Sequence, residues 1–180
     1  MMRRATTLLT STAAALLAAC AGNPTMPFSQ AALPAAVQVP AGHRVSLETV
    51  GVGEITYECR HKVGAPGQHE WVFVGPQAAL MDRQGRLLGR YVGPPATWAA
   101  SDGSAVTGTQ LAVAPAGEGN IPLQLVKTNP ATGTGAMAGH THIQRVATRG
   151  GVAPGSTCDA AGQGRREVVK YQADYIFWQQ

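Results

Sequence analysis

The sequence predicts an all-β chain, a single antiparallel domain built as a sandwich or a barrel. From Gly42 onward no long apolar series recurs at helical spacing. Short runs of alternating apolar and polar residues take its place, bounded by turn residues. Glycine (22) and proline (12) are abundant in a chain of 180 residues, while 13% are charged and 6% aromatic. That balance is too apolar for a disordered chain and too rich in turns for a helical bundle. The length leaves room for one domain with a core of its own.

The elements follow in chain order. Residues 1–19 read as an export leader, MMRRATTLLTSTAAALLAA, with a basic start, an apolar stretch and small residues at its end. It is too short to serve comfortably as a permanent membrane span. Leu17-Ala18-Ala19-Cys20 resembles the bacterial lipobox, in which the cysteine thiol receives a diacylglyceryl group and the chain is cut before it. Only a thiol serves in that chemistry, and several acyl chains, at about 0.8 kcal/mol per buried CH₂, anchor far better than one. Ala21 follows, where aspartate would favour retention at the inner membrane. The expectation is a cell-envelope protein, lipid-anchored at Cys20, at the periplasmic face of the outer membrane. Residues 20–41 carry Pro24, Pro27, Pro34 and Pro40. Proline removes a backbone donor and restricts φ, so this stretch reads as a semi-extended tether ahead of the β domain at 42–180.

Within the domain, GEITYECR sets Ile55, Tyr57 and Cys59 on one face and Thr56, Glu58 and Arg60 on the other. HEWVFVGP is a continuous apolar run, the pattern of a central strand. MDRQGRLLGRY reads as a hairpin turning over residues 82–85. In GPPATWAASDGSAVTG, residues 93–108, Asp102-Gly103 can supply the positive φ of a tight hairpin, and Pro94-Pro95 suits an edge or corner. Trp98 is placed to cap one end of the core with its N–H on a backbone carbonyl. TGTQLAVAP and IPLQLVKT are further short strands. VVKYQADYIFW alternates cleanly, with Val169, Tyr171, Ala173, Tyr175 and Phe177 opposite Lys170, Gln172 and Asp174. Short strands at such close intervals are the mark of a sandwich or barrel.

Charge excludes one class of function. The formal net charge is +4, and Arg3 and Arg4 of the leader account for two of those charges. No basic run interleaves with aromatics, so nucleic acid is not an expected partner. With Cys20 lipidated, Cys59 and Cys158 remain. In an oxidising compartment the pair is most simply a disulfide. The alternative is a metal or redox thiol pair, for which C-x-x-C spacing is missing.

Few constellations could carry chemistry. The corner of residues 93–108 could offer Trp98, Ser101, Asp102 and Ser104 to a small or polymeric envelope ligand, with loops 115–120 and 129–139 as the mouth. GHTHIQ places His140 and His142 two apart, on one face if they lie on a strand. A third ligand would come from His43, His61, His69, Met137 or a carboxylate, and Met137 with two imidazoles would suit copper. Gln144 on the same side points instead to a solvated strand face. GTGAMAG superficially matches a dinucleotide fingerprint, but Pro130 precedes it and a β-like HTHIQRV follows, so it reads as a mobile loop. No G-x-S-x-G occurs, and Ser101, Ser104 and Ser156 sit in turn-like contexts. Asp82, Asp102 and Asp159 read as turn formers.

GVGEITYECR, WVFVGPQAALMDRQGRLLGRYVGPPATWAASDGSAVTG, NIPLQLVKT, IQRVATRGGVAPGSTC and YQADYIFW together resemble the domain-of-unknown-function 3455 family of secreted bacterial and fungal proteins. The resemblance runs from about Val39 to Trp178 and implies no established activity, cofactor or catalytic residue. Cys59 and Cys158 fall in its strong blocks, as suits a structural bridge. The sequence therefore points to an envelope lipoprotein that is a non-catalytic binding or structural module, with no cofactor expected. Two alternatives stay open: an extracytoplasmic metal or redox protein using His140 and His142, and an uncharacterised hydrolase.

Overall fold

The computed structural model describes residues 27–180. The expected leader, Cys20 with its lipobox, and the first part of the tether lie outside the described residues. Eight strands form one sheet: β1 (Arg44–His61), β2 (His69–Met81), β3 (Leu87–Val92), β4 (Thr97–Ala100), β5 (Ala105–Ala114), β6 (Leu123–Thr128), β7 (His142–Gly150) and β8 (Arg166–Gln179). Each pairs antiparallel with the next and β8 returns to β1, so of the two architectures left open the sheet closes as a barrel. The seam is long, from Arg44↔Gln179 to Glu58↔Arg166.

In such a meander the connections alternate between two ends. The β2–β3, β4–β5 and β6–β7 connections share one end, here the closed end. The β1–β2, β3–β4, β5–β6 and β7–β8 connections share the other, the mouth. Asp102-Gly103 turns the β4–β5 hairpin as expected, with Gly103 at φ +88° and its N–H on the Ala100 carbonyl. The Asp82 carboxylate likewise takes the Gln84 and Arg86 N–H groups in the β2–β3 turn. The Pro94-Pro95 corner connects β3 to β4 at the mouth.

Alternation along the strands sends one set of side chains inside. Ile55, Tyr57, Tyr171, Ala173, Tyr175 and Phe177 all belong to the buried core, as their spacing predicts. Eight strands enclose a space about wide enough for side chains to fill, and aromatic rings fill much of it. Trp98 stacks on Tyr91 at 4.8 Å, Tyr91 lies 4.9 Å from Tyr175, and Trp98 stands edge-on to Phe177 at 6.5 Å. Gly51 makes way for this packing, because a Cβ there would stand 2.5 Å from the Tyr175 ring.

A second apolar cluster lies outside the barrel and corrects the tether for its described part. Ile176, Trp178, Leu123, Leu125 and Val146 are covered by Val37 and Val39, with Phe28 and Leu33 packed alongside. The prolines exclude a long helix or a central strand here, yet they permit an extended strap with one short 3-10 turn at Ala35–Val37, and an apolar outer face gives that strap something to bury. Gln144 is not on a solvated face. It is fully buried under the strap, donating to the Val37 carbonyl at 2.6 Å and accepting from the Trp178 indole at 2.9 Å.

HEWVFVGP also departs from expectation. Residues 69–76 pair with β1 alone, because β3 joins β2 only at Gln77. With residues 166–170 of β8, which β7 does not reach, they form a three-stranded tongue beyond the rim. Phe73 there is 50% exposed. The β7–β8 connection folds back on this tongue, where Cys59 and Cys158 are bonded across a sequence separation of 99. The Trp71 indole donates to the Ser156 carbonyl at 2.9 Å, and Arg165 lies 5.2 Å over the Trp71 ring.

Closing so long a loop removes chain entropy from the unfolded state, worth on the order of 4–5 kcal/mol. The double variant Cys59→Ala/Cys158→Ala is expected to lose that much in urea unfolding against the oxidised protein, and thiol reduction of the unmodified protein is expected to give the same loss.

Candidate functional site

Three of the four residues of the expected Trp98 corner have scaffold roles, Trp98 in the barrel interior and Asp102 and Ser104 at the closed end. Trp98 is 0% exposed inside the barrel. Its indole N–H does not reach a carbonyl, and it has no hydrogen-bond partner among the described residues. Ser104 is buried. Its hydroxyl donates to the Asp102 carboxylate at 2.6 Å and accepts the Met137 N–H at 3.1 Å. Asp102 also takes the Ala136 N–H at 2.7 Å. Two turn residues thus pin the β6–β7 connection over the end of the barrel, and Met137 plugs it, fully buried. The GTGAMAG loop is held rather than mobile. Ser101 is exposed on the turn, its N–H on the Leu88 carbonyl. Loops 115–120 and 129–139 lie at opposite ends of the barrel and cannot form one mouth.

The two histidines of GHTHIQ face different surroundings. His140 is buried against Phe177, with Nε2 2.8 Å from the Ala136 carbonyl and Nδ1 3.0 Å from the Ser46 hydroxyl. Both its ring nitrogens are engaged, and burial pushes its pKa down. His142 lies on the outward register of β7, level with buried Gln144, its ring 4.9 Å from His43. Burial lowers its pKa first, with the charges of His43 and Lys127 adding to it. Among the described residues no three His, Cys, Asp or Glu side chains gather as a metal set.

The Ser46–His140 contact is a serine–histidine pair that no motif announced. Ser46 sits at a bulge in β1, between Val45 and Leu47, and its hydroxyl is also 3.1 Å from the Phe177 carbonyl. It therefore serves the ladder that the bulge interrupts.

The mouth holds what sequence reasoning missed. All four tyrosines of the chain turn into the barrel here, around one guanidinium. Tyr57 donates to the Gly151 carbonyl at 2.8 Å, and the Tyr171 and Tyr175 hydroxyls bond each other at 3.2 Å. None of these bonds ties the Tyr91 hydroxyl. Arg145, on the same register of β7 as Ile143, donates Nε and Nη2 to the Pro122 carbonyl at 3.2 and 2.9 Å. It takes part in none of the ion pairs among the described residues. A cavity of about 20 Å³ is lined by Arg145, Tyr91, Tyr171 and Tyr175 together with Phe73 and Pro76. That is room for roughly one water-sized group.

Electrostatics make this a donor site. Burial pushes the Tyr171 hydroxyl up to about 12 and Tyr175 well above the ordinary range, with Arg145 pulling each back in part. Burial raises Tyr57 and Tyr91 in the same way. All four stay protonated at neutral pH; Tyr57 donates its O–H to the Gly151 carbonyl, while Tyr91 and one member of the Tyr171–Tyr175 pair keep O–H donors beside the cation. Alternation was the available signal: IQRV sets Arg145 on the same face as Ile143, and an arginine on the inward face of a strand asks for a reason.

A family model described as a protein of unknown function (DUF3455) matches residues 40–179, a span that takes in all eight strands. No curated protein and no solved structure matches the chain.

The Asp102 clamp generates a pH test. The Ser104 hydroxyl and the Ala136 and Ser104 N–H groups hold the Asp102 carboxyl below its ordinary value. A depressed pKa contributes stability that is complete above the unfolded value, about 3.9, and is lost as pH falls through the folded one. Asp102→Asn is expected to melt below the unmodified protein at pH 7, and the gap in thermal midpoint should close as pH drops beneath about 4.

Proposed function

The chain belongs to the DUF3455 family, whose name carries no activity, and from its own residues we propose that it is a lipid-anchored envelope binding module. Its mouth takes the carboxylate end of a small ligand with an apolar body. The observation that carries this reading is Arg145, a guanidinium in a barrel wall with no carboxylate partner among the described residues. Its guanidinium is partly buried and meets only the Pro122 carbonyl, so its charge is open to a partner. A bound carboxylate would pair with that charge and accept from the Tyr91 hydroxyl. The cavity admits only the tip of a ligand, and the half-exposed Phe73 ring at the rim suits an apolar remainder.

The anchoring half rests on residues 1–20. A basic start, an apolar stretch and Leu17-Ala18-Ala19-Cys20 support lipidation at Cys20 and residence in the cell envelope, at the periplasmic face of the outer membrane. A binding role suits that position better than catalysis, because the mouth combines one cation with four un-ionised hydroxyls and no group poised to take a proton.

Two measurements test the two halves. Benzoate and its uncharged analogue benzamide, titrated into isotope-labelled protein, are expected to shift the amide signals of the mouth. Benzoate should bind about ten- to hundred-fold tighter, the worth of hydrogen bonds to a charged partner. Arg145→Met should remove that preference while the protein stays folded, and equal binding of the two probes would discard the carboxylate reading. Cys20→Ser is expected to abolish fatty-acid labelling and move the protein from the membrane fraction to the soluble one.

A further inference from the structure

The imidazole pair at the closed end is built differently from the pair the sequence suggested. His43 Nδ1 lies 3.1 Å from the Pro40 carbonyl. A carbonyl only accepts, so the ring must carry its proton on Nδ1. His142 Nδ1 lies 3.1 Å from the Thr141 hydroxyl, whose own proton is directed to the Trp178 carbonyl at 3.3 Å. With the hydroxyl proton placed there, this ring donates from Nδ1. In that pair of neutral tautomers both Nε2 atoms have free lone pairs. An oxygen acceptor on the far nitrogen is the usual outer support of a metal-bound histidine. The two rings stand edge to face, 4.9 Å between centroids and 85° between planes. They line an open groove with Lys127, Asn129 and Thr141. Asn129 turns its amide NH₂ to Thr107 at 2.9 Å.

We propose that His43 and His142 form a two-imidazole site for a divalent transition-metal ion, copper(II) foremost, with water completing the coordination. Imidazole suits copper and zinc, and copper(II) stands highest in the affinity order of the divalent series. Lys127 works against any cation here, which places the site among modest binders rather than structural ones. His140 takes no part, since both its nitrogens are occupied within the fold. The second histidine pair, His61 and His69 on the tongue, lies more nearly face to face at 34° and 4.4 Å, with His69 Nε2 buried, so it does not present two lone pairs outward. The site is at the opposite end from the Arg145 mouth and stands without the carboxylate reading.

The test is a copper(II) titration of the purified protein followed by electron paramagnetic resonance. One equivalent should bind with hyperfine structure from two imidazole nitrogens. His43→Asn and His142→Asn should each weaken binding by at least about tenfold, a loss that even outer-shell changes reach, while His61→Asn leaves it unchanged. Absence of a stoichiometric site, binding that survives both substitutions, or a site lost through His61→Asn would overturn the assignment. The nitrogen count in the unmodified protein decides the matter even where a variant folds poorly.

Discussion

Closure of the strand ring along the β1–β8 seam is the constraint on which the rest of this molecule depends. An open sheet of eight strands would leave two unpaired edges and two faces to cover. Joining β8 to β1 over the length of both satisfies those edges and creates a single interior instead. A ring of this size has little room, and large aromatic side chains fill it. The interior is therefore a core and not a ligand chamber, and chemistry is confined to the ends and the outer wall.

The ends solve their closure differently. At one, Asp102 and Ser104 convert an ordinary hairpin turn into a clamp for the β6–β7 connection, and Met137 completes the plug. At the other, the packed rings give way to hydroxyls and a guanidinium. Hydroxyls held in an apolar surround keep their protons, and the arginine cannot lose its own. The mouth is thus a fixed arrangement of donors whose character does not change across the physiological pH range.

Much of the fold was legible because strand alternation is a local property. VVKYQADYIFW and GEITYECR each announce which residues turn inward, and the packing agrees for Ile55, Tyr57, Tyr171, Ala173, Tyr175 and Phe177. Asp102-Gly103 and residues 82–85 were legible because turn chemistry is local too. What escaped depends on distant partners. The strap of residues 28–39 looks like a linker until the apolar outer faces of β6, β7 and β8 are known to need a cover. Trp98 reads as a corner residue, yet the short β4 strand carries it into the interior. HEWVFVGP reads as a central strand, yet β3 stops short of it. Arg145 and the four tyrosines lie on four different strands, β1, β3, β7 and β8, and only closure brings them together.

The meander also separates two kinds of constraint. Since neighbouring connections never share an end, insertions or deletions in the mouth-side loops leave the plug and its clamp untouched, and loop length itself carries only a slowly growing entropic cost. A lineage built on this ring is free to reshape the rim that meets the outside while inheriting its lid unchanged. Variation among relatives should therefore be lopsided, concentrated at one pole of the cylinder.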